Sequence, residues 1–186
     1  MRKFLVVMLA LVFALSMVSL ASAKSMLKAH EKAYQKSIAK LVPKKMWRTV
    51  NDLYKVWLTN LAGKTKIYLL DVRSHPEFDA FHIEGASHIH DGHWYTIPGW
   101  IKNPNADIWV YCRTQHRSGY IAGMLYKIGY TNVKWVHGGM VGWIKAGYPI
   151  FNYFLGRADK TGVHYRKPPQ KLDERGFYVR EWRQQR

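Results

Sequence analysis

An α/β fold, a parallel sheet with helices on both faces, is predicted by three observations. Short apolar runs at Ile67–Leu70, Ala86–Ile89, Asp107–Tyr111 and Val133–Val136 alternate with helical patterns. The runs Ile67–Leu70 and Ile108–Tyr111 are continuous rather than alternating, as strands buried on both faces require. Glycine and proline punctuate the ends, at Gly63, Gly129, Gly138-Gly139, Gly147 and Pro149. Ligands of such sheets bind beyond the carboxyl ends of the strands.

Each element has its own local reason. Residues 24–41 read as an amphipathic helix, with Leu27, Tyr34, Ile38 and Leu41 near one face and Pro43 ending it. Lys24, Lys28, Lys32, Lys36, Lys40 and Lys44 recur at every fourth position. Like charges at that spacing repel, so the stripe faces solvent or an anionic surface. Thr49 with Asp52 three residues on predicts a capped helix start, continued by Leu53, Trp57 and Leu61. Glu77–His82 reads as a short helix, and Trp94–Ile101 as irregular or helical with a break at Pro98. Ser118–Ile128 and Met140–Ala146 are the remaining helices. Residues 151–186 break the alternation, with Pro168-Pro169 among scattered aromatics such as Phe151, Tyr165, Phe177 and Trp182. Those aromatics predict a basic tail packed on the domain or on a partner.

Composition narrows the function classes. Arg2-Lys3, the apolar run Phe4–Leu15 and Ala21-Ser22-Ala23 read as a cleaved export signal over residues 1–23, and the placement is periplasmic or secreted. The formal net charge is +17. Most of the excess lies in the flanks: residues 24–63 hold nine Lys/Arg against two acids, and residues 151–186 nine against four. Such flanks favour an acidic acceptor protein, an anionic surface or anionic solutes. No nucleic-acid motif, nucleotide-binding glycine loop or serine–histidine–acid set is present, and the pattern implies no cofactor.

The chemistry concentrates at Cys112, the single cysteine of the chain. It ends the run Ile108-Trp109-Val110-Tyr111, and Arg113-Thr114-Gln115-His116-Arg117-Ser118-Gly119 leads into the next helix. A lone cysteine in an exported chain is a cross-linking site, a buried small hydrophobe or a free reactive thiol. A free thiol ionises near pH ~8.5, and helix N-termini and cations bring that down to roughly 3.5–7.5. Arg113 and Arg117 supply permanent charge in a fork suited to oxyanions. The expectation is therefore a reachable thiolate, flanked by two guanidinium groups, that meets an anionic sulfur or phosphorus substrate.

Residues 46–150 resemble the rhodanese family of sulfurtransferases. The resemblance rests on Leu69-Leu70-Asp71-Val72-Arg73, on Glu77-Phe78 with His82-Ile83-Glu84-Gly85-Ala86, on Tyr111-Cys112-Arg113 through Ser118-Gly119, and on Val136-His137-Gly138-Gly139 with Trp143 and Gly147-Tyr148-Pro149. It implies a parallel sheet of about five strands, preceded by a basic helical extension at 24–45 and followed by a C-terminal extension at 151–186. It also implies transfer of sulfane sulfur from thiosulfate, or a related donor, through a Cys112 persulfide to cyanide or a thiol. Cys112 would be the nucleophile. Arg117 and Arg113 would bind the anionic sulfur substrate, with Gln115 and His116 beside it, while Asp71 and Arg73 would fix the strand end. The six-residue loop Cys112–Arg117 matches sulfurtransferases rather than the related phosphatases, whose loop is one residue longer. Gln115 stands where the family commonly has glycine, which bears on loop shape and substrate choice.

Two other readings stay open. His88, His90, Asp91 and His93 are imidazole-rich enough for zinc or copper, or else form a polar rim. The domain could also be a non-turnover sulfur carrier or partner-binding module docked through its basic flanks.

Overall fold

The computed structural model describes residues 25–164 together with Met8. The export signal and the tail beyond His164 lie outside the described residues. The chain divides into two compact units, residues 1–37 and 38–186. Helix α1 covers residues 25–39. Leu27 and Tyr34, assigned by spacing to an apolar face, are exposed, whereas Ile38 and Val42 are buried in the core of the second unit.

The second unit carries a five-stranded sheet in the order β1-β5-β4-β2-β3. Its strands are β1 (Trp47–Thr49), β2 (Tyr68–Asp71), β3 (Ser87–His88), β4 (Ile108–Tyr111) and β5 (Val133–His137), and every neighbouring pair is parallel. Between them run α2 (Val50–Leu61), α3 (His75–Ala80), α4 (Ile97–Trp100) and α5 (His116–Lys127), and α6 (Gly139–Lys145) follows β5. The predicted α/β architecture is the observed one.

Alternation along the strands sorts the core into two layers. Leu70, Val72, Ile108, Val110 and Val133 face Ile97 and Ile101 of the α4 segment and Ile121, Ala122 and Leu125 of α5. Leu69, Trp109, Tyr111 and Val136 face Leu53 and Trp57 of α2, Phe78 of α3, and Met140 and Trp143 of α6. Each fully buried side chain of this size contributes ~1.5–3 kcal/mol. The Thr49–Asp52 box caps α2: Asp52 N–H donates to Thr49 Oγ1 at 3.2 Å, and Thr49 N–H to Asp52 Oδ2 at 2.9 Å.

Two local expectations are corrected, and one further strand appears. Pro98 does not break a helix. It sits in the first turn of α4, where its missing N–H is no loss, after a 3₁₀ turn over Asp91–Thr96. Trp47–Thr49, given no strand by its sequence, pairs with Trp135–His137 at the sheet edge. Residues 150–164 form a small antiparallel sheet of β6 (Ile150–Asn152), β7 (Gly156–Asp159) and β8 (Gly162–His164). Phe151 exchanges backbone hydrogen bonds with His82 at 2.9 and 2.8 Å, and Arg157 pairs with Glu84. The start of the basic extension is thus built onto the α3–β3 connection.

Candidate active site

The strand order creates a crevice. From β2 the chain leaves through α3 to β3 at one edge, and from β4 through α5 toward β5 on the other side. Such a reversal opens a gap at the carboxyl ends between β2 and β4. Cys112 follows β4 directly, and Asp71 ends β2.

The loop after Cys112 is pinned by its carbonyls. Met140 N–H donates to Cys112 O at 2.9 Å and Val141 N–H to Arg113 O at 3.0 Å. Gln115 O accepts from Gly119 N–H, Ser118 Oγ and Trp135 Nε1 at 2.9, 3.1 and 2.9 Å. Gly139 makes this close approach possible. With φ at +50°, a Cβ there would lie 2.3 Å from Cys112 O and 2.6 Å from Thr114 O. Among the described residues, none of the backbone N–H groups from Arg113 through Ser118 finds an acceptor, and the first that does is Gly119. Carbonyls held outward and amides left over are the ingredients of an anion cradle at a helix start.

Gln115 fits without a left-handed backbone. Its φ is −163°, so glycine is not required at that position. Arg113 and His116 are exposed, and among the described residues their side chains make no hydrogen bond.

The expectation of a reachable thiol is corrected. Cys112 is 1% exposed, because it continues the Ile108–Val110 alternation into the apolar layer. Arg117 is not free. Its Nη1 and Nη2 donate to Glu77 Oε2 and Oε1 at 2.8 and 2.9 Å. Glu77 also accepts from Ser74 N–H and Oγ, at 3.1 and 2.9 Å, as the capping box of α3. Arg117 and then Ser74 hold the Glu77 carboxyl at about 2, against burial that opposes them. The guanidinium of Arg117 is in turn raised, first by Glu77 and further by the charge of Cys112. The structure therefore brings together Cys112, Arg117 and Glu77. Glu77 was read from sequence only as part of a family segment. The pattern Ser74-x-x-Glu77 was the signal that an acid would be fixed at a helix start beside the crevice.

Below the crevice, Asp71 and Arg73 form a buried ion pair. Arg73 Nε donates to both carboxylate oxygens at 3.0 Å, and Nη2 donates to Oδ2 at 2.7 Å and to Phe81 O at 2.7 Å. Burial alone would lower the guanidinium, but the hydrogen bonds and charge of Asp71 raise it. Tyr111, wholly buried beside them, has its phenol pushed up by burial and then by Asp71. These groups lie buried at the paired ends of β2 and β4.

The histidines divide. His88 is buried, with Nε2 2.7 Å from Arg73 O and its ring stacked on Phe78 at 4.6 Å. His90 Nδ1 accepts from Gly92 N–H, and its ring stacks on His75 at 5.8 Å. His93 lies 5.8 Å from His90, ring to ring. Among the described residues no three His, Cys, Asp or Glu side chains gather as a metal ion requires. His82 is fully buried, with Nδ1 2.9 Å from Phe78 O, and burial pushes it down to about 4.

A parallel α/β domain with a single cysteine in a six-residue loop, at the carboxyl end of its central strand, defines a cysteine-loop class of enzymes and binding modules. The comparisons with known proteins make the assignment specific. Residues 55–146 match the family of the rhodanese-like domain, and the chain carries a domain of that family. It is similar to a thiosulfate sulfurtransferase from Pseudomonas aeruginosa, with 27% identity and a TM-score of 0.50 over 57% of this chain and 20% of that one. The match thus spans only a fifth of that protein. It also shares its fold with a rhodanese-like domain from Anabaena sp., at 19% identity and a TM-score of 0.52, over 69% and 95% of the two chains. A polysulfide-sulfur transferase homodimer from Wolinella succinogenes shares the fold at 23% identity and a TM-score of 0.51, over 67% and 89%. The family match and the solved structures together show a rhodanese-like domain.

Proposed function

We propose that the domain is a sulfurtransferase that carries sulfane sulfur on Cys112. One observation carries the reading: the cysteine stands at the end of the central strand, beneath a loop whose successive amides from Arg113 to Ser118 have no acceptor of their own. In the first half-reaction the Cys112 thiolate attacks the outer sulfur of a donor. A sulfur–sulfur bond forms at Cys112, and the donor's sulfur–sulfur bond breaks with its electron pair leaving on sulfite. The product is a persulfide anion that the loop amides can hold. In the second half-reaction cyanide or a thiol takes the outer sulfur and the thiolate returns. This is covalent catalysis in two displacements. Because Cys112 is 1% exposed, the donor reaches it end-on through its terminal sulfur. Arg113 supplies free positive charge at the rim and Arg117 a guanidinium already paired with Glu77, with Gln115 and His116 beside them. Asp71 and Arg73 keep the scaffold in place.

Thiosulfate is the proposed assay donor and cyanide the assay acceptor. The export signal read at residues 1–23 would place this chemistry in the periplasm or outside the cell. The basic flanks suit an acidic acceptor protein or an anionic surface.

The test is intact mass. Incubation with a sulfane-sulfur donor under cyanide-free conditions should add one sulfur atom to the native protein and none to Cys112→Ser. Cyanide should remove it as thiocyanate. No added sulfur from thiosulfate, thiosulfonate or polysulfide would overturn the reading. The burial of Cys112 and the pairing of Arg117 favour a second reading, a carrier loaded only by a partner protein. That reading requires sulfur gain in the presence of a loading protein and none from small donors.

A further inference from the structure

After Arg113, Arg117 is the next cation along the chain from Cys112. Arg117 and Cys112 act on each other electrostatically, and Arg117 is already engaged. Both of its terminal nitrogens donate to both carboxylate oxygens of Glu77. The acid is not a loose surface group that an arriving anion could push aside. Two further bonds from Ser74 fix it at the start of α3, 40 residues away in sequence. The low ionisation range of Glu77, set first by Arg117, keeps it charged at every pH at which the thiol could react. Asp91 adds a second negative charge close enough to act on Arg117. A donor therefore meets a neutralised ion pair and an anionic sulfur, with Arg113 exposed on the rim.

Resting on the sulfur-transfer reading above, we infer that Glu77 is a specificity-determining residue that selects sulfane-sulfur donors of low charge over dianions. Thiosulfate carries two negative charges. Methanethiosulfonate has nearly the same shape, with a methyl group in place of one charged oxygen, and carries one. Both reactions balance identically: the Cys112 thiolate takes the outer sulfur, and the electron pair of the broken sulfur–sulfur bond leaves on sulfite or on methanesulfinate. The two donors differ in the charge brought to the Glu77–Arg117 pair and in leaving group, methanesulfinate being the weaker base, so the inference is read from how their ratio changes in Glu77→Gln. One extra charge a few ångströms from a fixed carboxylate, partly screened, changes a rate constant by about tenfold.

The experiment compares persulfide formation from the two donors by rapid quench and intact mass, in the wild-type chain and in Glu77→Gln. Glutamine at this position still completes a capping box with Ser74, so α3 keeps its start, and a thermal melt checks that the variant is folded. Wild type should load faster from methanethiosulfonate than from thiosulfate. Glu77→Gln should raise kcat/KM for thiosulfate about tenfold and change that for methanethiosulfonate by less than half as much. A wild-type preference for thiosulfate, or equal changes for both donors, would overturn the inference while leaving sulfur transfer standing. If neither donor loads the protein, the inference falls together with the reading beneath it. The wild-type donor ratio, divided by the ratio that a free small thiol shows for the same two donors, decides the matter even where the variant fails to fold.

Discussion

Replacing Gly139 with alanine is the sharpest probe of how the loop is held. The residue has φ at +50°, and the added Cβ would lie 2.3 Å from Cys112 O, 2.6 Å from Thr114 O and 2.8 Å from the Arg113 carbonyl carbon. All three are backbone atoms, so no side chain can rotate away. Three costs follow. The left-handed backbone costs a non-glycine residue about 1 kcal/mol. The bonds from Met140 N–H and Val141 N–H to the loop carbonyls are worth about 1 kcal/mol each. Together they predict a loss of ~3 kcal/mol of stability. A displacement of about 1 Å at the reacting atom also costs on the order of 10²-fold in rate. Gly63→Ala provides the control. Its φ is +68°, but nothing lies within 4 Å of the added Cβ, so it should lose only the backbone cost of about 1 kcal/mol and keep its rate. Urea unfolding and the rate of sulfur loading at Cys112 read the two effects separately. Equal stability of the two variants, with wild-type loading in Gly139→Ala, would refute the claim that α6 pins the loop.

Two further outcomes test the scaffold. Asp71→Asn leaves the Arg73 guanidinium buried without its counter-charge, and should cost ~3–5 kcal/mol in urea unfolding. His82 loses its contribution as pH falls, as a salt-bridged acid does, but from a higher pH. Its folded-state value is depressed from 6.5 to about 4, so the unfolded chain takes up its proton first. Stability is then full above about pH 6.5 and declines as pH falls toward 4, with about 1–2 kcal/mol lost by pH 5. His82→Asn should flatten that part of the curve, as read by urea midpoints at pH 7, 6 and 5.

What was legible in the sequence is what depends on neighbours in the chain. The Thr49–Asp52 box, the buried runs ending at Asp71 and Tyr111, and the position of Cys112 before α5 all follow from spacing within a few residues. What escaped depends on distant partners. Trp47-Arg48-Thr49 becomes a strand only because the edge of β5 lies beside it. The pairing of Arg117 was hidden because its partner is 40 positions away. Residues 150–164 read as a tail because the groups that hold them, His82 and Glu84, are about 70 residues upstream. The closed thiol was partly legible. Cys112 shares the parity of Ile108 and Val110, and extending that alternation one step past the strand would have turned the sulfur inward.

Helix α3 is held at both ends. Its first turn presents Glu77 to Arg117, and its last residues take Asn152, whose side-chain amide donates to Asp79 O and Ala80 O at 3.0 and 2.7 Å. The boundaries of any fragment chosen for expression should respect that double attachment. Trimming the protein after α6 would remove Asn152 and leave the last turn of α3 without that attachment, so the donor preference proposed for Glu77 is to be measured on the full chain.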